Sequence, residues 1–453
     1  MLFFYNKQKF TYPLILFLIS LFHSLFYIYM FDNPLYADAA QYDNLALNIN
    51  KGFFSIDPDD PTKIDMLREP LYPIFLSLIY KIFGHNYYYV YFVQAILFSL
   101  TCIITYYLCN EIFSKKYSIL SSFLLAILPT LANYPSYILT ECFFTFLLTL
   151  YIYISTLSFK YNNLFLYLLS GFILSLICLT KSIGLLIIFF IPFLIIIYYR
   201  KITKKLLINF FLLFFIFILT LSPWSYRNYS NFGTIQISLR GADALWMASS
   251  TLDYDRNQIL QNIVFNFSEY LGNKTFPGLV QKPRDFILLR NNEYENRQNE
   301  LREAGITSPS KIDKIMRTEA IEKILDKPFI YLAQRFLEFE KMLSFNYVPI
   351  LNQFNTQNYF NEKFSPNGSL YLSLIKAPFK ILGYLIFLLS IYGIFLTIKN
   401  YNKFIFLLFI ILYINIFYSL LFSVGRYAVP LIPFYLIFCT IAIERINKLF
   451  IKR

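Results

Sequence analysis

The chain has 453 residues, of which 57% are hydrophobic and 15% charged, and its mean hydropathy is +0.51. Soluble domains carry about a quarter charged residues, so this chain cannot cover a surface with polar groups in water, and its solvent must be largely lipid. The net charge of +13 would point to nucleic acid in a soluble protein; here it belongs to membrane orientation, and no nucleic-acid partner is expected.

A spanning helix needs about 20 mainly apolar residues. Ten stretches qualify: 12–30, 88–109, 118–133, 137–158, 162–180, 183–199, 206–223, 371–397, 404–422 and 427–443. The first follows Lys7 and Lys9 and is too long for a signal-peptide core, so it reads as an anchor. The runs are continuous rather than alternating, which excludes an outer-membrane barrel. The expected fold class is an all-α polytopic membrane protein with about ten or more spans. Its expected domains are a transmembrane bundle over 1–223 with an outside first loop at 31–87, a large outside loop at 224–370 with amphipathic helices, and C-terminal spans over 371–453.

Charge sets the orientation. With an inside N-terminus, the segments between spans on that side carry fifteen Lys and Arg, from Lys7 and Lys9 to Lys452 and Arg453, against Glu111 and Glu444. The loop 31–87 carries eight carboxylates and four Lys/Arg. This is a positive-inside pattern. It predicts cytoplasmic termini, a cytoplasmic (inner) membrane location and a polar inventory facing the periplasm or outside.

That inventory is then taken along the chain. Residues 36–53, YADAAQYDNLALNINKGF, place Asp38 just beyond the first span and predict a short helix over 38–49 with Tyr42, Leu45 and Ile49 on one face. A carboxylate desolvated at the bilayer rim would have a raised pKa and suit a general base, or it would simply cap the helix. In LREPLYPIFL, Arg68 is either a phosphate ligand or the partner of Glu69 in a surface pair, and Tyr72 follows between two prolines. The sequence Asp57-Pro58-Asp59-Asp60 invites a metal reading but reads more readily as a solvated acidic turn. His85 reads as interfacial packing.

Glu141, in SYILTECFF, opens a span: an acid there is either functional or an exposed first-turn acid favoured by the helix dipole. Lys181, in CLTKSIG, breaks the charge pattern and either meets a lipid phosphate or snorkels. Arg227, in SPWSYRNYSNFG, and Arg426, in VGRYAVPLIPF, end or begin spans as anchors or as ligands. The stretch PFIYLAQRFLEFEKMLSF (328–345) predicts an amphipathic helix lying along the membrane surface. The five cysteines lack CxxC spacing, so neither a disulfide framework nor a zinc site is expected. There are two histidines, which excludes a His-rich metal site, and no Walker loop, HExxH or GxSxG is present.

The order of these pieces resembles the polytopic lipid-phosphate-sugar glycosyltransferases of the GT-C superfamily, closest to bacterial relatives of the protein O-mannosyltransferases and the lipid A aminoarabinose transferase. The matching residues are Asp38, Tyr42 and Leu45-Ala46; Arg68-Glu69-Pro70-Leu71-Tyr72-Pro73; Leu139-Thr140-Glu141; Leu179-Thr180-Lys181; Pro223-Trp224, Arg227-Asn228 and Phe232-Gly233; and Arg426-Tyr427, Pro430 and Pro433. The resemblance covers 36–233 and 424–434. It implies a helical bundle with a cavity open to the outside face and a sugar donor carried on a polyprenyl phosphate. The acceptor would be a glycan, lipid A or a protein. Asp38 would be the base of an inverting transfer, with Glu141 as its partner. Arg68, Lys181, Arg227 and Arg426 would face the phosphate, with Tyr42 and Tyr72 beside it. The resemblance fixes no cofactor; a divalent metal is the one it allows, although the family's histidine has no evident counterpart. A flippase for lipid-linked glycans and an O-antigen polymerase or ligase are the competing readings.

Overall fold

The computed structural model describes residues 7–30, 35, 37–276, 283–343 and 368–451. Tyr36, the end of the 328–345 stretch, and Lys452 and Arg453 lie outside them. Among the described residues every regular element is helical.

All ten expected spans coincide with helices. They are α1 (Lys7–Met30), α4 (Tyr87–Ile112), the pair α5 (Lys115–Ile127) and α6 (Pro129–Asn133), α7 (Thr140–Tyr161), α8 (Leu164–Thr180), α9 (Ile187–Tyr199), α10 (Lys204–Phe232), α17 (Gly368–Thr397), α18 (Ile405–Leu420) and α19 (Ile432–Ile451). Among the described residues, seven runs are long and apolar enough to cross a membrane, and a bent pair makes an eighth. Ala377–Leu420 counts as one of these runs although it holds most of α17 and all of α18. The stretch expected at 118–133 is broken rather than continuous. Leu128 is extended (φ −75°, ψ 114°) before Pro129, and the two halves bend by 50°. Proline removes a helical donor and disfavours helical backbone in the residue before it.

Helix starts follow local chemistry. Asn86, Asn163 and Thr203 each accept a backbone N–H of the first turn of α4, α8 and α10. Gly233 ends α10 with φ +69°, a conformation that costs glycine little.

The bundle turns aromatic and aliphatic side chains outward; Phe189, Phe193, Phe211 and Phe215 are all exposed. Its interior carries small hydroxyls that bond the carbonyl four residues back, as Ser99 does with Ala95, Thr105 with Thr101 and Thr149 with Thr145. Ser155 and Ser170 meet at 2.7 Å between α7 and α8. In lipid, apolar burial gains nothing over lipid contact, so close approach of small residues and interhelical hydrogen bonds drive packing. Gly393 of α17 illustrates the approach, since a Cβ there would collide with the Phe438 carbonyl of α19.

Two helices rise between α1 and α4: α2 (Asp38–Asn50) and α3 (Leu71–Phe83). Tyr42 and Ala46 of α2 pack on Tyr72, Leu76 and Ile79 of α3. Between α10 and α17 lie α11 (Arg240–Ser249), α12 (Arg256–Phe267), α13 (Glu269–Thr275), α14 (Pro283–Glu303), α15 (Pro309–Asp326) and α16 (Pro328–Leu343). Ala242 of α11, Leu301 of α14 and Ile312 and Met316 of α15 form a small core. In α16 the polar side faces inward: Gln334, Arg335 and Glu338 are buried, whereas Phe329, Ile330, Leu332 and Phe336 are exposed.

Candidate functional site

Asp38 is the first residue of α2. The cap position is Ala37, with φ +51° and no side-chain cap. The Asp38 carboxylate instead accepts from two guanidiniums. Arg68 Nη2 lies 2.5 Å from Oδ1, and Arg426 Nη2 pairs with Oδ2 across 388 positions of sequence. The capping alternative therefore fails: the carboxylate is spent on long-range ion pairs.

The raised pKa expected for Asp38 is also overturned. Burial pushes the carboxyl up, but the guanidiniums of Arg426, Arg68 and Arg240 outweigh it and hold the group well below the usual carboxylate range. The sequence reading saw the apolar rim but not the cations that converge on it.

Arg68 is buried, and it does not pair with its neighbour Glu69. Its Nε lies 2.8 Å from Gln41 Oε1 on α2, and its guanidinium stands 5.0 Å over the Tyr42 ring. Burial pushes the Tyr42 hydroxyl up to about 12, so it stays protonated. Glu69 turns the other way. Its Oε1 accepts from the Ser182 N–H at 3.1 Å and the Ser238 hydroxyl at 3.0 Å, tying the first loop to the α8–α9 hairpin and to the segment before α11.

Glu141 sits in the first turn of α7 and is 2% exposed, so it is not a solvated dipole acid. Its Oε1 lies 3.2 Å from Lys181 Nζ and 3.6 Å from Arg426 Nε. Among the described residues its Oε2 is buried without a hydrogen-bond partner. Lys181 follows α8 and also stands 5.2 Å over the Tyr427 ring. Arg426 thus bridges the two carboxylates. Asp38, Arg68, Glu141, Lys181, Arg426 and Tyr42 form one network, drawn from α2, the segment before α3, the start of α7, the end of α8 and the turn before α19.

Tyr72 meets it only through its ring, edge-on to Tyr42 at 5.1 Å between centroids, and Arg227 does not join it. Tyr72 is fully buried, and its hydroxyl donates to Gln94 Oε1 at 3.0 Å. Gln94 in turn donates to the carbonyls of Pro135 and Tyr137, just before the helix that carries Glu141. Arg227 donates to the Asp65 carbonyl at 2.8 Å and stacks over Trp224 and Phe54. With Trp224 Nε1 and Asn228 bonded to the 236–237 carbonyls, it ties the first loop to the strap leading into α11. The structure gives both residues a supporting place, because their polar ends are already spent on backbone or on another side chain.

Sequence reasoning missed three things. Arg240, at the head of α11, adds a third cation acting on Asp38; its region carries no pattern that marks it. Gln41 shares Arg68 with Asp38 from the same helix face, which the 38–49 helix could have revealed. Asp43 accepts from the hydroxyls of Tyr80 at 2.7 Å and Tyr87 at 3.1 Å, with His85 Nε2 at 3.0 Å, so His85 anchors α2 rather than merely packing. The acidic turn is as expected: Asp57 Oδ1 accepts the Asp59 and Asp60 N–H groups at 3.1 Å.

Among the described residues, no group of three or more His, Cys, Asp or Glu could hold a metal ion. Both oxygens of Asp38 are on guanidiniums and Glu141 Oε1 faces two cations. This donor set does not fit a divalent cation.

The fold and the charge network at one end of its helices describe a polytopic, all-helical membrane protein, and the comparisons with known proteins say what it is similar to. Residues 66–226 match the family model described as dolichyl-phosphate-mannose-protein mannosyltransferase. The chain is similar in fold to the oligosaccharyltransferase of Archaeoglobus fulgidus. It matches the apo form at a TM-score of 0.55 and 13% identity, covering 98% of this chain and 51% of that one. It matches the complex of that enzyme, AglB, with an inhibitory peptide and a dolichol-phosphate at 0.53 and 16%, covering 99% and 52%. The complex with zinc and sulfate gives 0.52 and 14%, covering 97% and 49%. This chain therefore spans about half the length of those structures. No curated protein matches it. The GT-C resemblance drawn from the sequence is borne out.

Proposed function

We propose that the protein is a glycosyltransferase that moves a sugar from a polyprenyl-phosphate donor to a hydroxyl of a cell-envelope glycan, lipid or protein, at the outer face of the cytoplasmic membrane. The observation that carries this reading is the clamp of Asp38 between Arg68 and Arg426, with Glu141 and Lys181 attached to it. The family match over 66–226 and the dolichol-phosphate bound by the structural neighbour support the donor class.

The chemistry needs a base and cations. The acceptor oxygen attacks the anomeric carbon and forms the new C–O bond. The bond from that carbon to the phosphate oxygen breaks, and polyprenyl phosphate leaves with the electron pair. The acceptor proton goes to Asp38. One displacement inverts the anomeric centre, and because phosphate is a good leaving group no acid is required. Arg68, Arg426 and Lys181 stabilise the charge that develops on the phosphate.

The depressed pKa of Asp38 belongs to the protein without donor. A donor phosphate competes for the same guanidiniums. As Arg68 and Arg426 turn to it, Asp38 loses its counter-charges and becomes a stronger base once the substrate is seated. Glu141, held by Lys181, keeps Arg426 at the site during that exchange.

The test is mass spectrometry of envelope glycans from a deletion strain complemented with wild type or with Asp38→Asn. Wild type restores one missing sugar. Asp38→Asn leaves it missing, with activity down on the order of 10² to 10⁴-fold in membranes, the usual contribution of a general base. Full restoration by Asp38→Asn removes Asp38 as base. An intact lipid-linked glycan accumulating in the deletion favours a flippase or polymerase instead.

A further inference from the structure

The polar face of α16 grips the segment that carries Arg426. Tyr331, Arg335 and Glu338 recur at four- and three-residue spacing, so they share one stripe of the helix. The Tyr331 hydroxyl donates to the Leu420 carbonyl, and Arg335 Nη1 donates to the Leu421 carbonyl at 2.6 Å. Glu338 Oε2 accepts the Ser423 N–H at 3.0 Å. These backbone groups lie at and just past the end of α18, where carbonyls lose their helical partners. The side chains of α16 satisfy them and fix the path of 420–423. Arg426 follows three residues later.

The same stripe holds α11. Arg335 Nη2 donates to the Ala248 carbonyl at 3.2 Å and to Thr251 Oγ1 at 2.9 Å. Gln334 exchanges two hydrogen bonds with Thr251. Arg240 stands at the other end of α11. One helix therefore braces both the segment that carries Arg426 and the end of α11, and it does so with groups that are costly to bury. Arg335 and Glu338 are 4% and 3% exposed, and Lys341 Nζ neutralises Glu338 at 2.9 Å.

We propose that Tyr331, Arg335 and Glu338 are positioning residues for the transfer, holding Arg426 in register with Asp38. The idea rests on the glycosyl-transfer reading for its kinetic consequence, but its structural half can be measured without any activity.

The experiment uses the full-length protein in nanodiscs, with the near-isosteric variants Tyr331→Phe, Arg335→Lys and Glu338→Gln. Amide hydrogen exchange over 420–426 is measured first, and the Ser423 N–H is the most direct probe. Exchange rises in Glu338→Gln and Arg335→Lys and rises less in Tyr331→Phe. Arg302→Gln, an exposed change on α14, leaves it unmoved. With a polyprenyl-phosphate sugar donor, kcat falls on the order of 10 to 100-fold, the scale of a displaced catalytic group. The acid limb of kcat/KM moves upward, as it does in Arg426→Gln, because Asp38 loses a counter-charge while Arg68 remains beside it. A lowered thermal midpoint with exchange over 420–426 and the acid limb both unchanged means the stripe only stabilises the fold, and the proposal falls. If Glu338→Gln fails to fold, Tyr331→Phe, which loses one hydroxyl, decides alone. If wild type transfers nothing, the glycosyl-transfer reading fails, while exchange still tests the brace.

Discussion

Asp38 shares its two oxygens between Arg68 and Arg426, and the sign of its titration follows from that. A carboxyl whose folded pKa lies below its unfolded value of about 4 contributes stability above that value. The contribution disappears as pH falls through the folded pKa. Wild type therefore keeps Asp38 ionised through the ordinary carboxylate range, and the pH profile of kcat/KM shows no acid limb there from this residue. Arg426→Gln brings that limb up into the range; a limb in the same place in both proteins would show that Arg426 does not set it. Lys181 and Glu141 allow a second test. Lys181→Met removes the nearer of two cations from a buried carboxylate and leaves it Arg426 at 3.6 Å, so the loss stays below the about 3–5 kcal/mol of a buried pair broken outright on one side. Adding Glu141→Gln recovers much of that loss because the under-compensated carboxylate is gone. Thermal unfolding in detergent reads both, and additive losses would mean the pair is not coupled.

At the scale of elements, spans were legible because hydropathy is a sum over neighbours in sequence. All ten expected runs became helices, and the one that broke did so at Pro129, where the chain itself supplies the reason. The short helix carrying Asp38 was legible too, from Tyr42 and Leu45 on its buried face. Gly393 shows what was not. Nothing around it marks a contact, yet it allows α17 to approach the backbone of α19 at Phe438. Gly393→Ala places a methyl against that carbonyl and must separate the helices, at about 1–3 kcal/mol for overpacking. A lower thermal midpoint is expected, and an unchanged midpoint would mean the pair has room to slide. The inward polar face of α16 was equally hidden. A helical wheel shows two faces but not which one the protein takes, and here the protein takes the charged one.

Across the whole molecule, the ion pairs sort to two ends of the bundle. Asp38, Arg68, Glu141, Lys181 and Arg426 meet at one end. Lys160 meets Glu111 and Lys116 meets Glu444 at the other helix ends. This separation agrees with the alternation of loops expected from the distribution of Lys and Arg. It yields a labelling prediction. The native cysteines are all buried. A cysteine at exposed Lys63 is expected to react with a membrane-impermeant maleimide in intact cells, and one at exposed Lys201 only after permeabilisation. The reverse pattern would invert the orientation and place the candidate site in the cytoplasm.

The sequence alone determined the solvent, the helices, the expected orientation and the set of charged residues at helix ends, because each of these depends on composition summed over short windows. Only the tertiary structure decided which charges meet. It brought Arg426 to Asp38 across most of the chain, recruited Arg240 from a segment without a pattern, turned Glu69 away from Arg68, and spent Arg227 and Tyr72 on support. An ion pair needs two groups within a few ångströms, and that distance is set by the packing of every helix between them.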